Sequence, residues 1–210
     1  PLECLQVNYI GTYNMLECCR RSGVRRFVNS STSSAYGLSK ESPLTETTSI
    51  NCLNPYSASK VGAETLCEMY FNLHKLRTIS LRYFNVYGPR QPLKGIYAPV
   101  IGLFQEQHKR GEALTIVGDG NQRRDFTHVS DVVDANIAAM MTNYSAICVN
   151  IGSGVSYSVN DIASAISNNH HHIPVRPGEA RETLANIERA RIILDWEPKE
   201  NVIDWIHGQK

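Results

Sequence analysis

Tyr56 and Lys60 stand four residues apart in Pro55-Tyr56-Ser57-Ala58-Ser59-Lys60. On a helix that spacing stacks the two side chains on one face, one turn apart. A tyrosine hydroxyl ordinarily ionises near pH ~10, so acting as a base at neutrality takes about three units, or ~4 kcal/mol, of help. A cation about 4 Å away in an effective dielectric near 20 supplies roughly that much. The pair can therefore take a proton from an alcohol, most readily where a further positive charge stands nearby. By itself the spacing also suits a solvated surface pair, so the surrounding residues decide.

Thr32 lies twenty-four residues upstream, within Ser30-Ser31-Thr32-Ser33-Ser34-Ala35-Tyr36-Gly37. Ligands of open α/β sheets bind outside the C-terminal ends of the strands, and this segment follows an expected strand. A hydroxyl there can hydrogen-bond the oxygen that the tyrosine deprotonates. A plain polar turn would draw on the same residue types.

The elements that must hold these residues alternate. Leu5 to Cys19 has helical spacing and stops at Ser22-Gly23. Arg26-Phe27-Val28 opens a strand that runs into the serine-rich loop. Asn54 as cap and Pro55 in the first turn start a helix that reaches about His74. Thr78 to Leu81 reads as a strand and leads into Arg82-Tyr83-Phe84-Asn85. This order predicts an α/β fold with a parallel sheet. Beyond the loop Gly88 to Gly95 come a helix at Val100–Lys109, a strand at Leu114–Val117 and the turn Gly118-Asp119-Gly120. Val129–Met141 reads as helix and Ile147–Ile151 as a buried strand, both returning to the first sheet. Short helices are expected at Val159–Ile166, Ile187–Leu194 and Val202–Ile206. A dinucleotide-binding sheet also needs a first strand, a glycine-rich turn and a helix N-terminus for the pyrophosphate. No G-x-x-G-x-x-G segment precedes the first helix, and Gly152-Ser153-Gly154 comes too late. The expectation is the C-terminal part of a Rossmann-type doubly wound parallel sheet, without its cofactor cradle, plus a small α/β substrate-binding domain.

Composition narrows the classes. The 210 residues carry 42% hydrophobic and 20% charged side chains with a net charge of +1. No like-charge run suggests nucleic acid, no apolar stretch suggests a membrane span, and the first residues do not resemble a signal peptide. Cys4, Cys18, Cys19, Cys52, Cys67 and Cys148 form no C-x-x-C pair or zinc array. They are expected to be buried reduced thiols, which fits a cytoplasmic setting. His170-His171-His172 reads as a solvated turn, so no metal is expected. Trp196 and Trp205 fit C-terminal packing, and Arg189 and Arg191 a helix surface.

Five motifs in order then resemble one family. They are the Ser-Ser-Thr…Tyr-Gly loop, Pro-Tyr-Ser-Ala-Ser-Lys, the run Leu81 to Gln91, Gly118-Asp119-Gly120 with Arg124-Asp125-Phe126, and Arg176-Pro177-Gly178-Glu179. Across essentially the whole chain this is similar to the extended short-chain dehydrogenases/reductases of the NAD-dependent epimerase/dehydratase family, most like the UDP-sugar 4-epimerases. The resemblance implies a remainder of the NAD-binding domain at 1–87 and 126–152, with a UDP-sugar domain at 88–125 and 153–210. It implies Thr32, Tyr56 and Lys60 as catalytic residues. Asn8, Ser30, Ser31, Tyr83 and Phe84, with Tyr56 and Lys60, would lie on the NAD side. Asn85, Arg124 and Arg176 would hold the substrate diphosphate, and Glu179 a ribose hydroxyl. Val100, Phe104, Thr115 and Val117 would pack the uridine, although ordinary core suits them equally. A homodimer through the Asn8 and Tyr56 helices is implied.

Ser33 and Ser34 stand where the family's 4,6-dehydratases carry an Asp-Glu pair, and the glutamate of the decarboxylases is also missing. The resemblance thus favours 4-epimerisation, in which C4 of the sugar is oxidised and reduced again by bound NAD. Thr183 falls at the position that gates sugar size; being small, it implies acceptance of 2-acetamido sugars. Two other readings stay open at this point: a chain that binds nucleotide sugar or a partner without turnover, and another nucleotide-sugar epimerase or reductase.

Overall fold

The computed structural model describes residues 1–93, 98–175 and 180–209. In chain order its elements are α1 (Leu2–Cys4), a π-helical stretch (Leu5–Ile10) and α2 (Gly11–Arg21), which run as one rod. β1 (Arg26–Thr32), a 3-10 turn (Ser33–Tyr36), α3 (Pro55–His74), β2 (Arg77–Tyr83) and β3 (Val86–Tyr87) follow. Then come α4 (Val100–Lys109), β4 (Leu114–Val117), β5 (Arg123–Asp125), β6 (Thr127–His128), α5 (Val129–Met141) and β7 (Ile147–Ile151). The last elements are β8 (Ser156–Ser158), α6 (Val159–Ile166), β9 (His170–Ile173), β10 (Glu182–Thr183), α7 (Glu188–Leu194) and α8 (Val202–His207).

The main sheet is parallel, in the order β1-β2-β7. Its register sets Ser31 beside Arg82 and Arg82 beside Asn150, with Thr32 beside Tyr83 and Tyr83 beside Ile151. Apolar residues of β2 and β7 pack with α5 and α7 around Ile79, Leu81, Val149 and Ala135. α2 and α3 meet through Leu16, Cys67 and Tyr70. α3 starts where expected: the Asn54 carboxamide accepts from the Ser57 N–H at 2.9 Å, and Pro55 needs no donor in the first turn. The smaller strands lie in three groups: β10-β5-β8, β3-β6 and β4-β9. They share a second core with α4, α6 and α8, built on Phe104, Ile116, Phe126 and Ile162.

Several sequence expectations change. His170, His171 and His172 are not a turn but belong to β9, parallel to Leu114–Val117. Backbone pairing with an apolar partner strand decides their conformation, which a polar composition hides. All six cysteines are free, yet only Cys19 and Cys67 are buried and Cys18 is exposed. Neighbouring helix positions point in different directions, so Cys18 and Cys19 cannot share an environment. Arg191 is a surface residue paired with Glu197 at 2.8 Å, but Arg189 reaches inward to the Cys148 carbonyl at 3.0 Å. Trp196 is buried with its indole N–H on the Asp131 carbonyl at 3.0 Å, and Trp205 stacks edge-on against Tyr87. Among the described residues no helix is long and apolar enough to cross a membrane, and no three potential ligands gather for a metal ion.

Candidate active site

β1 delivers Ser30, Ser31 and Thr32 to the C-terminal edge of the main sheet, and α3 delivers Tyr56 and Lys60 beside them. The Lys60 ammonium donates to the Ser30 carbonyl at 3.1 Å, joining the helix to the strand. Burial lowers the affinity of that ammonium for its proton. The ring of Tyr56 is exposed. Thr32 is buried, and its hydroxyl oxygen accepts from the Ser34 N–H at 3.1 Å, which caps the 3-10 turn and leaves the hydroxyl proton to be given elsewhere. The turn ends on Gly37 with φ at 57°, where a Cβ would collide with the Asn51 carbonyl oxygen. That position needs glycine for two separate reasons.

The other expected cofactor-side residues separate into groups. The Ser30 hydroxyl lies 3.2 Å from that of Tyr83, which in turn donates to the Asn136 carboxamide at 3.0 Å. Asn8 donates to the Ser59 hydroxyl at 3.1 Å, next to Lys60 on α3. Ser31 is turned inward, and its hydroxyl donates to Glu64 at 2.5 Å. Phe84 is fully buried with Tyr36, Leu44, Ala185 and Ile187, so its ring serves the core beneath the loop.

The substrate-side expectations converge on one cleft of about 400 Å³. Asn85, Val100, Phe104, Thr115, Val117 and Arg124 all line it, as does Gln122. Asn85 has φ at 25° and its amide donates to the Asp125 carbonyl at 2.7 Å and the Thr183 hydroxyl at 3.3 Å. Thr183 pairs with Arg124 across the β10–β5 ladder, which places it beside the cleft. Asp125 is fully buried and anchors this corner. Its carboxylate accepts from Ser153 N–H at 2.6 Å, Ser153 hydroxyl at 2.7 Å, Gly154 N–H at 3.0 Å and Ala185 N–H at 3.1 Å. Burial raises its affinity for a proton against the pull of those donors. Arg176 and Glu179 lie outside the described residues.

Sequence reasoning assigned no role to Glu64, Tyr36 or Arg82. Glu64 carried a signal, since it lies four residues beyond Lys60 on the same helix face. Exposed or half-buried hydroxyl, phenol and ammonium groups on Ser30, Tyr83, Tyr56 and Lys60 gather at the strand ends, a donor set that suits ribose hydroxyls. The arginine and amide groups of the cleft suit phosphate oxygens, and its apolar wall suits a flat ring.

Residues 1–152 match the model of the NAD dependent epimerase/dehydratase family. A UDP-glucose 4-epimerase of Mycolicibacterium smegmatis is 36% identical over 200 residues, covering 92% of this chain and 64% of its own length. The chain thus spans less than two thirds of that relative. The structure of a UDP-N-acetylglucosamine 4-epimerase from Methanobrevibacter ruminantium in complex with UDP-N-acetylmuramic acid superposes with a TM-score of 0.92 at 29% identity, covering 100% of this chain and 72% of that one. A Thermus thermophilus UDP-glucose 4-epimerase complex with NAD gives 0.87 at 30% identity, covering 96% and 68%.

Proposed function

This chain belongs to the NAD dependent epimerase/dehydratase family, and from that premise we propose that the protein inverts C4 of UDP-sugars with bound NAD. The observation that carries the reading is the bond from Lys60 to the Ser30 carbonyl, which fixes the Tyr56 helix against the strand ending in Thr32. The relatives support it, one bound to a UDP-sugar and another to NAD.

In this mechanism Tyr56 takes the proton of the sugar's 4-hydroxyl and later returns it. Lys60 sets its positive charge one helical turn from Tyr56 and would hold the cofactor ribose. The Thr32 hydroxyl, whose oxygen is already occupied by Ser34 N–H, donates to the same sugar oxygen. NAD, when bound, supplies the hydride acceptor and donor that inversion requires; Ser30, Tyr83, Tyr56 and Lys60 would hold it, with Asn8 supporting the helix from behind. Arg124 and Asn85 bind the diphosphate, and Val100, Phe104, Thr115 and Val117 the uridine. Arg176 and Glu179 complete the grip on phosphate and ribose. Ser33 and Ser34 lack the acid and base that water elimination demands, so the 4-keto sugar can only be reduced again. The small Thr183 admits a 2-acetamido group. The first lobe comprises 1–87 and 126–152, the substrate lobe 88–125 and 153–210, and the protein pairs through its α2 and α3 helices.

The test is incubation of the full-length protein with UDP-glucose and with UDP-N-acetylglucosamine, with the epimers resolved by proton NMR. Both should reach equilibrium, and Y56F should form neither. Turnover of UDP-glucose alone overturns the acetamido assignment; absence of any epimer overturns the reaction.

A further inference from the structure

One face of α3 carries Tyr56, Lys60 and Glu64 at successive four-residue steps, and the three differ in depth. Tyr56 is exposed, Lys60 half-buried, and Glu64 buried at 8% exposure. Glu64 receives a forked bond from Arg82 of β2, at 2.9 Å from Nε and 2.7 Å from Nη2. It also accepts the Ser31 hydroxyl at 2.5 Å. The remaining Arg82 nitrogen, Nη1, donates to the Tyr36 hydroxyl at 3.0 Å, and Tyr36 donates to the Asn150 carboxamide at 2.6 Å. Burial pushes the Tyr36 hydroxyl up to about 12, so it stays a donor. Arg82 lies against the Tyr36 ring, 5.0 Å from its centroid. Every member is buried.

The connections are not spread over the core. Ser31 and Tyr36 bracket the segment that carries Thr32, and Glu64 sits one turn beyond Lys60. Arg82 and Asn150 belong to the two neighbouring strands in the same register row as Ser31. A single guanidinium therefore ties the 3-10 turn to the tyrosine helix, and its partner Glu64 extends the tie to the strand end through Ser31. A buried ion pair is a poor device for stability, since apolar residues of equal volume often do as well or better. Its directional bonds do fix relative position.

We propose that Glu64 and Arg82 are positioning residues that set the Thr32 segment against the Tyr56–Lys60 helix. This rests on the proposed 4-epimerase reaction, and it adds a pair that touches neither sugar nor cofactor.

The experiment compares full-length wild type with E64M/R82M, R82K and S31A. Three quantities are read: the melting temperature, kcat and KM for the UDP-sugar with NAD bound, and amide hydrogen exchange without substrate. In E64M/R82M the melting temperature should stay near wild type. Its kcat should fall about a hundredfold, as for a displacement of roughly 1 Å at the reacting groups, while KM changes less than about threefold. Exchange should quicken at 31–36 and at 56–60 together, leaving β4 and α6 unchanged. R82K, which keeps the charge and loses the fork, should recover part of kcat. Wild-type kcat in E64M/R82M, or a kcat loss matched by general destabilisation, overturns the proposal. If that variant does not fold, S31A carries the test: its exchange must rise in both segments, and unchanged exchange there is equally fatal. A wild type that epimerises nothing refutes the reaction, whereas the exchange measurement still judges the coupling.

Discussion

The strand-end region and the cleft hold their side chains by opposite means. Behind Thr32, position is set by short directional bonds among Ser31, Glu64, Arg82 and Tyr36. Around Phe104 it is set by packing: Phe104, Ile116, Phe126 and Ile162 form a close apolar wall, and the polar groups, Arg124 and Asn85, stand at its rim. Proton transfer tolerates little displacement, whereas a flat base in an apolar slot tolerates more. The difference teaches where each kind of damage should appear. Changes at the strand end should register in kcat, and changes at the cleft in KM or stability.

The sharpest way to break this contrast is Y56F. Removing the hydroxyl proposed as acid and base should lower kcat by about 10²–10⁴-fold with the melting temperature unchanged, as read by NMR of the epimers and a thermal melt. An equal rise in KM would mean that the two regions are not separate. Next is F104A. Emptying a fully buried aromatic position should cost about 3–5 kcal/mol of stability, read by urea denaturation, and should spare kcat per folded molecule. R124A should come third, raising KM for UDP-sugar by roughly 10- to 100-fold through loss of a charge-assisted contact of about 1.5–3 kcal/mol.

These expectations were legible to different depths. Asn54-Pro55 announced α3 because capping is a local matter, and helical periodicity put Tyr56 and Lys60 on one face of it, while their role had to come from the surrounding motifs. β9 was hidden because three histidines hold no apolar alternation; only the distant Leu114–Val117 strand makes them extended. The cleft gathers Asn85, Phe104, Val117 and Arg124 from separate elements, and no spacing rule links those positions. Resemblance to a family supplied them, and the fold brought them together. The inward turn of Ser31 escaped for another reason. Its partner Glu64 is thirty-three residues away, and a serine in a polar loop gives no sign of which side it faces.

Two smaller effects sharpen the same contrast. T183Y should lower kcat/KM for UDP-N-acetylglucosamine by at least about tenfold relative to UDP-glucose, in a competition assay with both substrates. A uniform fall would place Thr183 outside the sugar pocket. The mildest concerns Glu182, whose affinity for protons is lowered by hydroxyl bonds from Ser42 and Ser156 and by Arg123. A carboxyl lowered on folding stabilises above its ordinary value of 4.5 and loses that contribution as pH falls through the folded value. Melting temperature should therefore decline more steeply below pH 4.5 in wild type than in E182Q, and parallel curves would remove Glu182 from the acid response.

The π-helical stretch at Leu5–Ile10 makes the placement of Asn8 a question of residue count. A π turn absorbs surplus backbone that an α-helix would carry round. Deleting that surplus residue would leave the flanking turns in register, whereas deleting one from α2, where no surplus exists, would turn everything before it by about 100°. Asn8 would then leave Ser59 although no side chain in contact had been exchanged. Insertion and deletion, more than substitution, are the changes through which the orientation of this helix end against the tyrosine helix can be reset.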